Sequence, residues 1–425
     1  MSNPLLDLAS ARRNGRPRGI TSVCSAHPTV LRAAVRLATK TQQPVLIEAT
    51  CNQVNHLGGY TGMTPSDFVA LVQQIAAGEG LDRSLLIFGG DHLGPNPWRS
   101  EDPAVAMEKA KAMVAAYVAA GFSKIHLDAS MGCAGEPAGL DDGTIAARAA
   151  ALCAVAEDTA RANGLPLPVY ILGTEVPVPG GADHVLDAVE PTSPDAAIST
   201  IAIHRGVFEK AGLADAFART IAFVVQPGVE FGSDNVIAYN PAEAANLSKV
   251  LENHDTLVFE AHSTDYQPEA ALAALVRDGF PILKVGPGVT FAYRGALYAL
   301  DLIATELVPG YGQRPLFDAM EDVMTAHPKD WQGHYHGDER GLRLQRHYSY
   351  SDRIRYYWNR PQSVSAVGSP VEALRDVAIP ETLLHQYLPQ FNVEDIRGLS
   401  AEDILIASVD RVLAIYDRAV NQTAV

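Results

Sequence analysis

This 425-residue sequence predicts an α/β fold, a (β/α)8 TIM barrel followed by an appended, mainly helical C-terminal segment. Three observations lead there. Eight short apolar runs alternate with helix-like stretches through the first three quarters of the chain, the pattern that makes a parallel sheet. The runs end in polar or acidic residues, and in such barrels the C-terminal strand ends carry the chemistry. No G-x-G-x-x-G turn follows the first run, so an open dinucleotide-binding sheet lacks its signature.

In order, the runs are Gly19–Ala26, Pro44–Thr50, Leu85–His92, Lys124–Ser130, Pro168–Glu175, Thr220–Glu230, Thr256–Thr264 and Pro281–Gly288. Their ends read SAHP, EATCNQ, GGDH, LDAS, GTE, QPGVE, EAHSTD and KVGPG. After the third run, Asp102 and Pro103 open a helix in which Met107, Ala110, Val114 and Val118 repeat at helical spacing until Gly121. Similar stretches occupy Pro65–Ala77, Thr144–Asn163, Pro194–Ala211, Pro241–Leu251, Pro268–Asp278 and Thr290–Leu307. Beyond Val308 the texture changes, with Trp331–Pro361 dense in His, Arg, Tyr and Trp. The chain ends in a helix with Ser400 and Asp403 as a capping pair before Ile404, Ala407, Val412 and Tyr416. The expected division is a barrel over 1–307 and an extension over 308–425 that packs on the barrel or on a partner subunit.

Composition narrows the function. A hydrophobic content of 47% in 425 residues is enough to bury a full barrel. The net charge of −16 disfavours nucleic acid or an anionic membrane as partner, while leaving room for a local basic pocket for a phosphate. No apolar stretch approaches the ~18–20 residues of a membrane span, and Met1–Gly19 lacks a signal-peptide core, so a cytoplasmic protein is expected. Cys24, Cys51, Cys133 and Cys153 are scattered and read as free thiols. Small molecules and protein partners remain, a second copy of the chain among them.

Asp91-His92, ending the third run, is the sharpest local signal. A barrel-mouth imidazole ligates a divalent metal, and the adjacent carboxylate moves protons near a metal-polarised carbonyl. The plain alternative is a helix cap with a loop hydrogen bond. In the seventh run, alternation puts Glu260 and His262 on one side, where they could share a metal with His92. Glu230 is a further candidate ligand, or else a solvated glutamate beside a Pro-Gly turn. Such ligands suit zinc or manganese. Asp128 and Glu175 form a candidate acid–base pair, although Asp128 could instead simply hold Ser130. Lys284 reads as an ion-paired lysine rather than a Schiff-base amine. Asn52 and Asn55 lie in a Gly-rich loop whose amides match a polyol, the alternative being a tight structural turn. Ser25, Glu48 and Gln226, at the ends of the first, second and sixth runs, complete the substrate-facing set. Arg340, Arg343, Arg346, Arg353 and Arg355 offer either a phosphate clamp or an interface patch.

VCSAHP, EATCNQVN, GGYTGMTP, FGGDHLGPNPW, HLDASM, FEAHSTDYQ, LKVGP and YSDRIRYYW together resemble the Z subunits of tagatose-1,6-bisphosphate aldolase, the GatZ/KbaZ family, over nearly the whole chain. The resemblance implies a non-catalytic barrel that supports a separate class II aldolase subunit in tagatose- and galactitol-type carbohydrate metabolism, with a small sugar or sugar phosphate as ligand. Class II aldolases use three metal-bound histidines and an aspartate beside the first, and Asp91-His92 matches that pair. The pattern would place the other two histidines at Phe231 and Glu260, with His262 two residues later. Either metal binding was lost, or Glu230, Glu260 and His262 rebuilt a different site. The second case implies an autonomous metal-dependent ketose or keturonate 4-epimerase or aldolase, acting by enediolate or retro-aldol chemistry with Asp128 and Glu175 moving protons. Some members carry a tagatose-6-phosphate kinase label. Neither a G-x-x-x-x-G-K-[ST] loop nor the kinase motif set is present, so no nucleotide cofactor is predicted.

Overall fold

The computed structural model describes residues 3–173 and 189–421. The predicted runs supply eight parallel strands: β1 (Ile20–Cys24), β2 (Val45–Thr50), β3 (Leu86–Leu93), β4 (Lys124–Leu127), β5 (Val169–Leu172), β6 (Thr220–Val224), β7 (Val258–Ala261) and β8 (Ile282–Val285). Each strand pairs with its sequence neighbours, and β8 closes on β1 through Ile20↔Ile282 and Val23↔Val285, so the sheet is a complete barrel. Helices follow the strands: α1 (Pro28–Thr41), α2 (Pro65–Gly78), α3 (Pro103–Ala119), α4 (Asp142–Ala162), α5 (Pro194–Lys210), α6 (Pro241–Lys249), α7 (Glu269–Arg277) and α8 (Pro287–Leu307). The α3 cap is the expected one, with the Asp102 side chain accepting from the Ala104 N–H at 2.9 Å. Among the described residues no helix is long and apolar enough to cross a membrane.

Strand alternation divides the interior into layers. Near the N-terminal end, Leu46, Ile87, Ile171, Ile221, Val258 and Ile282 pack together with Leu5 and Leu8 of the N-terminal segment, which plugs that end. Each such buried side chain contributes about 1.5–3 kcal/mol by leaving water. Two residues further along the same strands, Glu48, Glu260 and Lys284 occupy the next inward positions. On β3 the corresponding residue is Gly89, and a Cβ there would meet the Glu48 side chain at 2.7 Å. Glycine makes room for a buried carboxylate.

Alternation breaks at the end of β3. Its pairing with β4 slips between Gly90 and Leu93, and His92 takes a left-handed φ of 49°. This bulge lets the consecutive residues Asp91 and His92 both serve the barrel mouth, which a regular strand forbids.

Beyond the barrel helices come α9 (Pro315–Ala326), α10 (Glu339–Tyr348), α11 (Pro361–Ala373), α12 (Glu381–Tyr387) and α13 (Ala401–Val420). The last is capped by Ser400, whose hydroxyl accepts from the Asp403 N–H at 3.1 Å. α13 packs against α1, α7, α8 and β1. Asp403 pairs with Arg36 of α1 at 3.0 Å, Arg418 with Glu269 of α7, and the Gly19 N–H donates to the Val420 carbonyl at 2.8 Å. Residues 350–359 cross the mouth: Tyr350 accepts from the Tyr266 hydroxyl, and Asn359 donates to the Tyr60 carbonyl.

Candidate metal centre at the barrel mouth

The floor of the site is a buried ionic lattice. Lys124, inward-facing on β4, touches Glu48 and lies 2.7 Å from Glu260 Oε2. Lys284 of β8 contacts Asp91, Glu48 Oε2 at 3.1 Å and Glu260 Oε1 at 3.4 Å. Burial opposes the Lys284 charge, but Asp91, Glu48 and Glu260 hold its pKa well above that of an ordinary lysine. It stays an ammonium, as an ion-paired lysine should, and is no Schiff-base nucleophile.

Above the floor lie three imidazoles. The His92, His126 and His262 rings have centroids 4.8, 4.8 and 5.4 Å apart. Each ring offers one ligand atom, as does Asp91, and all four atoms lie within 4.8 Å of one another. His92 and His262 are each held on one nitrogen, His126 on both. His92 Nδ1 meets Asp128 Oδ2 at 2.7 Å, His126 Nε2 donates to the Gly173 carbonyl at 3.1 Å, and His262 Nε2 meets Glu260 Oε1 at 2.9 Å. His126 Nδ1 lies 3.2 Å from both the His92 backbone nitrogen and Asp91 Oδ1, so it accepts from the first in the neutral ring or donates to the second in the protonated one. Rings oriented by a second partner are the usual support of a metal site.

The donor chemistry fits a divalent cation. Imidazole nitrogens suit zinc or manganese and would leave the Asp91 carboxylate beside them to handle a proton. Burial and then Lys284 push His262 down to about 3, so it is neutral, the form a metal requires. Burial opposes protonation of His92, yet Asp91 and Asp128 raise its pKa. The same attraction favours a cation among these ligands. Asp128 is held well below the carboxylate range, burial notwithstanding, by His92 and by the Ser130 hydroxyl, which donates to it at 2.7 Å. Cys24 also lies near Glu48 and Asp91, and burial pushes its thiol well up.

The structure joins seven sequence-derived candidates, Glu48, Asp91, His92, Asp128, Glu260, His262 and Lys284, in one network. Asn52 lines the cavity above it. Four others stand apart. Glu230 is buried, with Oε1 accepting from the Phe231 N–H at 2.9 Å, and is outside the ligand cluster. Gln226 holds the Pro-Gly turn by accepting from Gly228 and Val229. Asn55 braces its own loop through Cys51, Leu57 and Gly59. Ser25 accepts from the His27 N–H at 3.2 Å. Glu175 lies outside the described residues.

Sequence reasoning passed over Lys124 and His126, although they alternate with Asp128 in KIHLD and so share its face. Of the five arginines considered for a clamp, Arg355 lines the cavity. Arg346 is instead buried on Glu321 and Glu339, and Arg343 lies over Phe317.

The family described as D-tagatose-1,6-bisphosphate aldolase subunit GatZ/KbaZ-like matches residues 5–421. A protein of Agrobacterium fabrum strain C58 named D-tagatose 6-phosphate 4-epimerase is 67% identical over 422 residues, 99% of each chain. A crystal structure described as a probable tagatose 6 phosphate kinase from Sinorhizobium meliloti 1021 superposes with a TM-score of 0.87 at 53% identity, covering 95% of this chain and 100% of that one.

Proposed function

This chain belongs to the GatZ/KbaZ-like family of D-tagatose-1,6-bisphosphate aldolase subunits, and we propose that it is a metal-dependent epimerase inverting C4 of a ketohexose 6-phosphate, D-tagatose 6-phosphate foremost. The observation that carries this reading is the buried His92–His126–His262 cluster with Asp91 and the Lys284 ammonium at the open end of the barrel. The name of the Agrobacterium relative supplies the substrate class.

The chemistry follows from the position of C4. In a 2-ketose it is β to the carbonyl, so its hydrogen is not acidic and direct deprotonation is unfavourable. Cleavage of the C3–C4 bond is the accessible route. A base removes the C4-hydroxyl proton, the C3–C4 electron pair moves toward the C2 carbonyl, and an enediolate and an aldehyde result. The aldehyde presents its opposite face, C3 attacks it, and the proton returns to the new C4 oxygen, so atoms and electrons balance. A divalent cation held by the three imidazoles would polarise the ketose oxygens, a contribution of several kcal/mol. Asp91 exchanges the C4-hydroxyl proton. Lys284 offsets negative charge that develops beside it, and Asp128 keeps His92 in register. Asn52 and Gln53, lining the cavity, meet sugar hydroxyls, while the 350–359 crossing limits water.

The second reading, a non-catalytic subunit of a class II aldolase, is favoured by the family description itself. One experiment separates the two. The purified chain is incubated with D-tagatose 6-phosphate with and without a chelator, and the sugar phosphates are followed by NMR alongside His92→Ala. Formation of D-fructose 6-phosphate, lost with chelator and in the variant, supports the epimerase. An inert wild type that prolongs the activity of a class II aldolase would establish the subunit reading.

A further inference from the structure

A second chamber adjoins the metal centre. Cys24, Gln53, Tyr60 and Arg355 line both spaces, and the second extends outward between the start of α1 and the C-terminal segment at Trp358 and Val367. Its lining reverses the character of the protein. The chain carries a net charge of −16, and Asp91 and Asp265 line the first chamber, yet none of the described residues lining the second is a carboxylate.

Much of that lining is apolar, at Ala26, Met63, Leu71, Val364 and Val367, and its positive charge comes from Arg355. Arg355 donates to the Ser351 and Asp352 carbonyls and to the Tyr356 hydroxyl, and its guanidinium lies 4.5 Å from the centre of the Tyr356 ring. Its position is thus set, with no carboxylate ion pair among the described residues. The 14-residue helix α1 begins at the chamber with Pro28 in its first turn and no side chain capping it, so the positive end of its dipole is not offset locally. Independently, Trp358 lines the chamber at 6% exposure, and its buried indole N–H has no acceptor among the described residues. An indole N–H only donates, and burying one unpaired is unfavourable.

A fixed guanidinium, an uncapped helix start and an unpaired N–H, with no opposing carboxylate, complement a group that only accepts and carries negative charge. We propose that this second chamber is the subsite for the phosphate of a phosphomonoester substrate, with Arg355 as its principal contact. The inference rests on the sugar-phosphate reading above and deepens it. In a ketohexose 6-phosphate, two carbons and one oxygen separate C4 from phosphorus, so the substrate crosses the shared wall beside Arg355 with C4 on the metal side. The C-terminal segment thereby supplies the specificity for a phosphorylated sugar.

The test uses the full chain, Arg355→Met, Arg355→Lys and Trp358→Phe, each first checked for wild-type thermal unfolding. Turnover of D-tagatose 6-phosphate and of D-tagatose is compared, and inorganic phosphate binding is measured by calorimetry. The proposal expects Arg355→Met to raise KM for the phosphorylated sugar at least tenfold more than for D-tagatose, Arg355→Lys to recover part of the loss, and Trp358→Phe to produce a smaller rise. Inorganic phosphate should compete with D-tagatose 6-phosphate and bind Arg355→Met more weakly. Equal losses on both sugars, no loss on either, or unaltered phosphate binding by Arg355→Met would overturn it. A wild type that turns over neither sugar refutes the epimerase reading alone; the calorimetry then still decides whether Arg355 holds phosphate.

Discussion

Replacing Lys124 with methionine tests whether the ionic floor holds the barrel together. The ammonium is fully buried, touching Glu48 and lying 2.7 Å from Glu260 Oε2. Burial lowers its pKa, but Glu260 and Glu48 raise it above the ordinary lysine value. Its contribution is therefore fully present below the unfolded pKa of about 10.4 and is lost only as pH rises through the higher folded value. At pH 7 the variant leaves Glu48, Glu260 and Asp91 facing Lys284 as the remaining lysine. Removing one partner of a buried pair costs about 3–5 kcal/mol, because the other charge stays buried and uncompensated. An unfolding entropy of about 2.1 cal/mol/K per residue gives roughly 0.9 kcal/mol/K for the 425-residue chain, so Tm should fall by about 3–6 °C. Differential scanning calorimetry at pH 7 measures this directly. The double variant Lys124→Met with Glu260→Gln, which removes both charges, should recover a good part of the loss. A Tm within 1 °C of wild type for the single variant, or a double variant whose loss is the simple sum of the two single losses, would refute the reasoning.

Further expectations follow from neighbouring geometry. Gly94→Ala places a Cβ 1.6 Å from the Asp128 carbonyl oxygen, so β3 and β4 must separate at the mouth; zinc titration should show weakened binding, and an unchanged affinity would count against the arrangement. Asp128→Asn keeps the shape but removes the charge that orients His92, and metal affinity should fall about 10–100-fold in a chelator competition. Glu230 is pushed up to about 7 by burial, against hydrogen bonds from the Phe231 N–H and Ser263, with Asp265 also raising it. A carboxyl with a raised folded pKa contributes stability that is complete below its unfolded value, about 4.3, and disappears as pH rises through 7. Glu230→Gln should therefore unfold at the same temperature as wild type at pH 4 and at a higher one at pH 8, the gap corresponding to up to about 4 kcal/mol; a gap that does not widen with pH would disprove the assignment.

The barrel was legible because each strand run ends where polarity changes, and period-two alternation in EAH put Glu260 and His262 on one side, where the structure brings them 2.9 Å apart. The same rule applied to KIHLD would have exposed Lys124 and His126, but attention to the polar end of the run hid them inside its apolar part. The proximity of Asp91 and His92 was read from their adjacency, whereas what makes it possible is a left-handed bulge that no local pattern announces. Arg355 was one of five similar arginines in the sequence. Which of them reaches the mouth depends on how residues 350–359 dock on Tyr60 and Tyr266, contacts made about 84 to 299 positions away along the chain.

The last described helix has a consequence for how the protein is assembled. α13 covers β1 and joins α1 to α7, so residue 19 finds its hydrogen-bond partner only at residue 420. Strands and helices made early can pair locally, but the outside of β1, at Thr21 and Val23, stays uncovered until α13 arrives. Closing so long a loop adds little entropy beyond that of a moderate one, yet it comes late, and contacts of such separation slow folding. The interval before α13 docks is when the growing chain is most exposed to aggregation.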